Sequence, residues 1–370
     1  MILAKDLPIQ QIIYNIKNAE MPVIIFGASI VGEVLFKACK EAGINVECFC
    51  DNNTNKTKST KCGIRVICAS ELKNKYQDAI FLISAAEIKD VVEQLESLGC
   101  SKWYSCSPLL REFDIYQYQF SAPMDFVEYA VASAILCHDN YLTPDKIFIR
   151  SVDIIITERC SQKCKDCSNL MQYYKKPQNC NIDEIIKDIS TFCGIVDEIN
   201  EFRVIGGEPF VNPDFDLVVK RLIEEIKVKK IIIYTNGTIV PSDEKLKSLK
   251  NDKVLVIITN YGRTEKKLNN LVKKLSDNGS AFYVQKAGGW TDCAKIAQHN
   301  RSLEKQKEIF RNCCAKNTIT LSNGNLFRCP FAANAARLKA VPDFKDDYIN
   351  IFDTQADKIE MRKRIRDYLS

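Results

Sequence analysis

Three cysteines, Cys160, Cys164 and Cys167, spaced C-x3-C-x2-C, stand directly after an apolar run, Val152 to Ile156, whose β-branched residues are bounded by charges. The run reads as a buried strand. A loop leaving such a strand folds its thiols inward around one centre. Thiolates at these short spacings hold iron–sulfur clusters, normally four to a cluster. Three in one loop, with no obvious fourth nearby, leave one iron open to a small ligand. The competing reading is structural zinc, but closed zinc sites want four ligands, usually as two paired sets. No partner C-x-x-C or H-x3-H pair exists, and the only histidines are His138 and His299.

Downstream, Phe202 to Ile205 reads as the next strand and ends in Gly206-Gly207-Glu208-Pro209. Glycines let a backbone approach a neighbour closely, and a carboxylate complements an ammonium. Together the cysteine loop and this tetrad resemble the radical S-adenosylmethionine (SAM) superfamily. The resemblance implies that Cys160, Cys164 and Cys167 hold a 4Fe–4S cluster whose fourth iron chelates SAM. It implies that the backbone of Gly206, Gly207 and Pro209, with Glu208, holds the SAM amino group, and that Asn260, at a later strand end, bonds the ribose. Asp166 stands where the family usually has an aromatic residue. The implied chemistry is reductive cleavage of SAM to a 5′-deoxyadenosyl radical that abstracts hydrogen from a substrate, fed by a donor such as flavodoxin or ferredoxin. No residue is assigned the catalytic finish; Tyr173, Tyr174 and Trp290 are candidates by position, with core packing as their alternative.

Toward the C-terminus, Cys314-x9-Gly324-x4-Cys329 resembles the opening of the auxiliary-cluster (SPASM or twitch) segment appended to many such enzymes. No cysteine follows Cys329, so the longer set is absent. A second iron–sulfur cluster would draw on Cys293, Cys329 and one or both of Cys313 and Cys314. Adjacent side chains on an extended segment point to opposite faces, which favours three ligands over four. Buried, unliganded thiols are the alternative.

Strands alternating with helices predict parallel sheets. In residues 1–110, Val23 to Phe26, Val46 to Cys50 and Ala79 to Ile83 read as strands. The turn Gly27 to Gly32 follows the first, and Asp51 closes the second. That is most of a dinucleotide fingerprint, but Ser29 fills the middle glycine position and crowds a pyrophosphate. The block resembles instead the small N-terminal domain of bacillosamine-type sugar-nucleotide acetyltransferases, with Gly27, Ser29 and Asp51 as a candidate ligand site. A purely docking or dimerisation role is the alternative. Residues 111–150 read as a connector with one helix packed between domains. Residues 151–290 read as the radical SAM core, 291–340 as the twitch-like segment and 341–370 as a tail ending in a surface helix. The fold class is α/β: an N-terminal Rossmann-like domain, a partial (β/α)6 radical SAM barrel and a small C-terminal auxiliary-cluster segment.

A chain of 370 residues supports two or three domains. Its net charge of +5 is spread too evenly to argue for nucleic acid. Met1 to Gln11 lacks the pattern of a signal peptide, and no window approaches a membrane span, so the expectation is a cytoplasmic protein without membrane partners. Seventeen cysteines then fit a reducing compartment in which some bind metal and the rest are buried small hydrophobes. The function expected is a radical SAM enzyme acting on a sugar nucleotide or related small molecule. A peptide-modifying maturase and a non-catalytic iron–sulfur or zinc scaffold are the alternatives.

Overall fold

The computed structural model describes residues 8–144, 146–262, 265–288, 295–313 and 315–369. The chain divides into two units, Met1–Asp145 and Lys146–Ser370.

In the first unit the elements run α1 (Ile9–Asn18), β1 (Val23–Phe26), α2 (Ile30–Glu41), β2 (Val46–Cys50), β3 (Thr60–Lys61), β4 (Ile64–Ile67), α3 (Leu72–Lys75), β5 (Ile80–Ile83), α4 (Ile88–Ser97), β6 (Trp103–Ser105), α5 (Ser107–Glu112) and α6 (Met124–Leu142). The sheet order is β3-β4-β2-β1-β5-β6, parallel except for the short β3–β4 hairpin. β1 is buried throughout because it is central and covered on both faces. Its alternate residues feed two cores, Val23 and Ile25 one, Ile24 and Phe26 the other. This is the Rossmann-like arrangement expected.

The helix expected to connect domains belongs to this unit. α6 places Val127, Val131 and Ala134 in the first core. It is also pinned by His138, which is fully buried: Nδ1 lies 2.9 Å from Ser105 Oγ and Nε2 2.8 Å from the Ala85 carbonyl. A carbonyl only accepts, so Nε2 carries the hydrogen and Nδ1 accepts from the serine. Proline punctuation marked the segment's ends but not which core its apolar face would join.

The second unit runs β7 (Phe148–Ile155), α7 (Ile182–Ile195), β8 (Glu198–Ile205), α8 (Phe215–Glu224), β9 (Val228–Thr235), α9 (Asp243–Leu246), β10 (Val254–Asn260), α10 (Glu265–Asn278), β11 (Phe282–Lys286), α11 (Leu303–Arg311), β12 (Ile319–Ser322), β13 (Asn325–Phe327), α12 (Pro330–Arg337), β14 (Tyr348–Asn350) and α13 (Lys358–Leu369). Its sheet order is β11-β10-β9-β8-β7-β12-β13-β14. β7 to β11 are parallel, and α7, α8 and α10 pack their apolar faces into the core that covers the sheet. Parallel strands end on one edge, which is where loops gather functional groups. β12 lies parallel to β7 on the far side of the sheet from β11, and its hairpin turns at Asn323–Gly324, both with positive φ.

α8 starts at Phe215, and before it the buried Asn212 donates 2.7 Å to the Ile156 carbonyl and accepts from Asp214 N at 3.0 Å. One local expectation changes. α13 is anchored rather than superficial: Met361 and Ile365 enter the core, and Arg362 pairs with Asp197 at 2.7 Å.

Burial holds the His138 pKa down to about 4, from 6.5 for an unperturbed histidine. Between those values the unfolded chain binds the proton and the folded one does not, so stability falls as pH falls through that window. A single proton sets a slope of about 1.4 kcal/mol per pH unit. Thermal unfolding from pH 6.5 to 4 should show this slope in the N-terminal unit, and His138→Gln should flatten it.

Candidate active site

The exits of β7 and β8 are laced together. Ile156 N donates to Ile205 O at 3.0 Å, Gly207 N to Thr157 O at 2.9 Å and Glu208 N to Arg159 O at 2.9 Å. Gly206 has φ +147°, and a Cβ there would sit 2.3 Å from Thr157 O. A Cβ on Gly207 would sit 2.2 Å from Arg159 O and 2.9 Å from Cys160 Cβ. The two glycines are therefore required by the cysteine loop itself, whose first turn lies on their backbone. Asn169, beyond the third cysteine, returns to donate 2.8 Å to Gly206 O and closes the loop over the tetrad.

Glu208 is fully buried. Its carboxylate accepts from Asn236 N and Thr235 Oγ1, each at 2.7 Å, and from Phe210 N at 3.3 Å. Burial pushes its pKa up to about 7 against those hydrogen bonds. The carboxylate thus braces the exit of β9, where the sequence reading gave it an ammonium; Pro209 follows it into a short buried 3-10 turn.

That brace aims Asn236 at the loop. Its Nδ2 donates to Ser161 Oγ at 3.1 Å and lies 3.7 Å from Cys160 Sγ. Cys160 Sγ also accepts from Gln162 N at 3.4 Å, and Cys164 Sγ lies 3.6 Å from Gln162 Oε1. Burial, with Glu208, Cys167 and Cys164 adding to it, pushes the Cys160 thiol up to about 11. Burial and then Cys164, Cys167, Cys160 and Glu208 push the Tyr261 phenol up to about 12. The three thiols, Glu208 and Tyr261 therefore share one neighbourhood. Asn260 Oδ1 accepts from Gly262 N at 2.7 Å and so shapes the turn that carries Tyr261.

Asn236 and Tyr261 were not singled out in the sequence. Their signal was position alone, each at the close of a strand in Thr235-Asn236-Gly237 and Asn260-Tyr261-Gly262. Of the tyrosines that were, Tyr173 is exposed and Tyr174 donates to Asn334 Oδ1 of α12 at 2.7 Å. Trp290 lies outside the described residues. Thiols that take hydrogen bonds from an amide and a backbone N–H at strand exits fit a cluster-binding loop, since such bonds tune iron–sulfur centres. Among the described residues, no three Cys, His, Asp or Glu side chains converge on the position of a single ion.

The C-terminal segment is tied to the root of this loop. Glu158 Oε1 accepts from Arg337 Nη2 at 2.6 Å, both side chains mostly buried, and the same nitrogen lies 3.4 Å from Cys180 Sγ. Cys329 caps α12, accepting from Ala332 N at 3.4 Å. Its pKa is raised chiefly by burial, with smaller contributions from Cys313 and Asp153. Cys293 and Cys314 lie outside the described residues.

In the first unit, the candidate ligand site is a turn closed on itself. A Cβ on Gly27 (φ +116°) would meet Ser84 Oγ at 2.4 Å, and that hydroxyl lies 3.0 Å from the Gly27 carbonyl. Asp51 accepts from Ala28 N and Asn53 N at 2.8 Å and from Lys56 Nζ at 3.1 Å, so the residue expected on a ribose hydroxyl serves the turn. Ser29 precedes α2 without a side-chain cap bond.

Residues 154–328 match the Radical SAM superfamily, and residues 19–103 match the C2185-like N-terminal family. The second unit thus contains a radical SAM domain, a domain of enzymes whose cofactors are a 4Fe–4S cluster and SAM. Among curated relatives, the GTP 3′,8-cyclase of Aquifex aeolicus (strain VF5) is 25% identical over 140 residues, 37% of this chain and 42% of that protein. The mitochondrial GTP 3′,8-cyclase of Arabidopsis thaliana is 33% identical over 86 residues, 23% of this chain and 22% of that protein. The matched stretch thus spans less than half the length of either relative. Among solved structures, BtrN in complex with AdoMet and 2-DOIA is 16% identical over 60% of this chain and 85% of its own, with a TM-score of 0.38. SuiB from Streptococcus suis bound to S-adenosylmethionine is 12% identical over 58% of this chain and 68% of its own, with a TM-score of 0.31.

Gly207→Ala tests the lacing. Backbone atoms flank the new methyl, so the loop has to move, at a cost of about 1–3 kcal/mol from overpacking. Anaerobically reconstituted variant should bind less iron at the cysteine loop and unfold at a lower temperature; wild-type iron content and stability would show that the glycine has room.

Proposed function

We propose that the radical SAM domain holds its 4Fe–4S cluster on Cys160, Cys164 and Cys167 and acts on a sugar nucleotide or related small molecule. The observation that carries this is the close packing of the Gly206–Gly207 backbone against Thr157 to Cys160, which fixes the loop at the strand exits. With cluster and SAM bound, reductive cleavage supplies a 5′-deoxyadenosyl radical able to take hydrogen from an unactivated C–H bond. The chain's own part is orientation and exclusion of water. Gly206, Gly207 and Pro209 offer backbone to the methionine end of SAM, while Glu208 braces that backbone from behind. Asn260 serves the ribose, and Tyr261 stands beside the thiols as a wall of the site.

Cys313 and Cys329, with Cys293 or Cys314 or both, hold a second iron–sulfur cluster in this reading. Their support is the place of Cys329 at the head of α12, whose Arg337 ties the segment to the first loop through Glu158. The reductant is a protein of the flavodoxin or ferredoxin class. The free thiols suit a reducing cytoplasm, and no described helix is long and apolar enough to cross a membrane. The parallel sheet of the first unit favours a small-molecule substrate over a peptide, since peptide-modifying relatives commonly carry a winged-helix leader-binding domain.

Anaerobically reconstituted protein should convert SAM to 5′-deoxyadenosine on reduction, and Cys164→Ala should lose this activity to background. Zinc as the sole metal after strictly anaerobic preparation would overturn the assignment. In the Cys160/Cys164/Cys167 triple alanine variant, about four irons per chain should remain on the second cluster. None remaining in folded protein would leave those cysteines as core residues.

A further inference from the structure

α2 buries Val31, Val34, Leu35, Ala38 and Cys39 in the first core. The neighbouring stripe, Glu33, Phe36, Lys37 and Lys40, lines a cavity of about 770 Å³. Glu41, Lys61 of β3 with Cys62, and Tyr118 and Ser121 from the segment before α6 complete it. At the floor, Glu33 is almost fully buried and accepts from Lys61 Nζ at 2.6 Å and from Ser121 N at 3.0 Å. Buried ion pairs contribute little net stability, because desolvation offsets their attraction. A well-formed pocket with a few convergent polar groups is the ordinary form of a ligand site.

The walls and mouth say which ligand. Tyr118 is stacked on Phe113 with ring centroids 4.8 Å apart, and its hydroxyl donates to Glu41 at 2.9 Å, so its ring is fixed. Lys37 Nζ lies 5.7 Å from the Tyr118 ring centroid and 5.4 Å from that of Phe120. Lys61 is neutralised by Glu33, whereas Lys37 and Lys40 have no carboxylate partner among the described residues. Two free ammonium groups beside fixed aromatic faces suit an anion that also carries a flat ring: lysines receive phosphate as point charges, and rings stack on a base.

We propose that this cavity is a nucleoside diphosphate site, with phosphates on Lys37 and Lys40, the base against Phe36 and Tyr118, and the Glu33–Lys61 pair at the floor for the ligand's hydroxyl or N–H groups. It lies on the flank of α2 and not at the Gly27 turn, whose residues do not line it. The site deepens the sugar-nucleotide reading above and rests on it for the natural occupant, but the binding itself is independent of cluster chemistry.

The test is calorimetry on the full-length reconstituted protein with UDP and with ADP, in saturating SAM so that the adenosine site of the second unit is filled. One of the two should bind with micromolar Kd, and Lys37→Glu/Lys40→Glu should weaken it at least about ten-fold, a loss of about 1.4 kcal/mol. Lys89→Glu on α4 should leave binding within about two-fold, and SAM cleavage should be unchanged in both variants. The milder Lys37→Ala should act in the same direction if the double variant is destabilised. Inorganic pyrophosphate binding as tightly as the nucleotide would reduce the site to a charge patch and overturn the proposal, as would nucleotide binding indifferent to both lysines or absent at millimolar concentration. Loss of SAM cleavage in wild-type protein would count against the cluster assignment and leave this one standing.

Discussion

Where Gly206–Glu208 meets Thr157–Arg159, two backbones approach so closely that only hydrogen fits on the α-carbons between them. Three consequences hang on that contact. The cysteine loop gains a hydrogen-bonded root on a rigid strand, which positions ligands more accurately than a free loop does. Glu208, carried in the same turn, is driven into the interior, where the exit of β9 and the Phe210 N–H satisfy it. Asn236 is then set by Glu208 and turned toward Cys160. Loop, tetrad and third strand form one hydrogen-bonded unit, and the deletion of any donor leaves a buried acceptor unsatisfied.

Much of this was legible in the sequence because the signals are local. Apolar runs marked β1, β2 and β5 within a residue and the ends, though not the starts, of β7 and β8, and thiol spacing with the glycine tetrad pointed to the cofactor. What was not legible has a common physical origin. The protein partners of Glu208, the anchoring of α13 and the core that α6 joins each depend on what a side chain meets across the fold. Sequence shows that Glu208 is a carboxylate; it does not show that Thr235 and Asn236 arrive beside it. Tyr261 is the sharpest case, an ordinary tyrosine in a turn until the fold places it beside three thiols. Asp51 shows the same limit: the sequence places a carboxylate at the close of β2 but not the Ala28, Asn53 and Lys56 groups that donate to it.

The other cysteines bear on metal assembly. Cys39, Cys48, Cys50, Cys100, Cys106, Cys137 and Cys193 are all buried, and burial raises the pKa of Cys39 and Cys193 to about 12. Thiols kept protonated and inaccessible neither capture iron nor oxidise readily. A chain rich in cysteine thus still presents iron with a short list of candidates, concentrated in the Cys160 to Cys167 loop and in the C-terminal segment.

The placement of β12 against β7 has a consequence for how the chain comes to be folded. Val152 pairs with Ile319, across about three quarters of the second unit. During synthesis the strands from β7 to β11 emerge in the order in which they lie in the sheet, so each new one covers the free edge of the last. The outer edge of β7 is different: it bears unpaired N–H and C=O groups until β12 has left the ribosome, and such an edge is a template for pairing with another chain. The same strand launches the cysteine loop. Closure of that edge therefore waits on β12, and a nascent chain shorter than that carries its cysteine loop on an open edge.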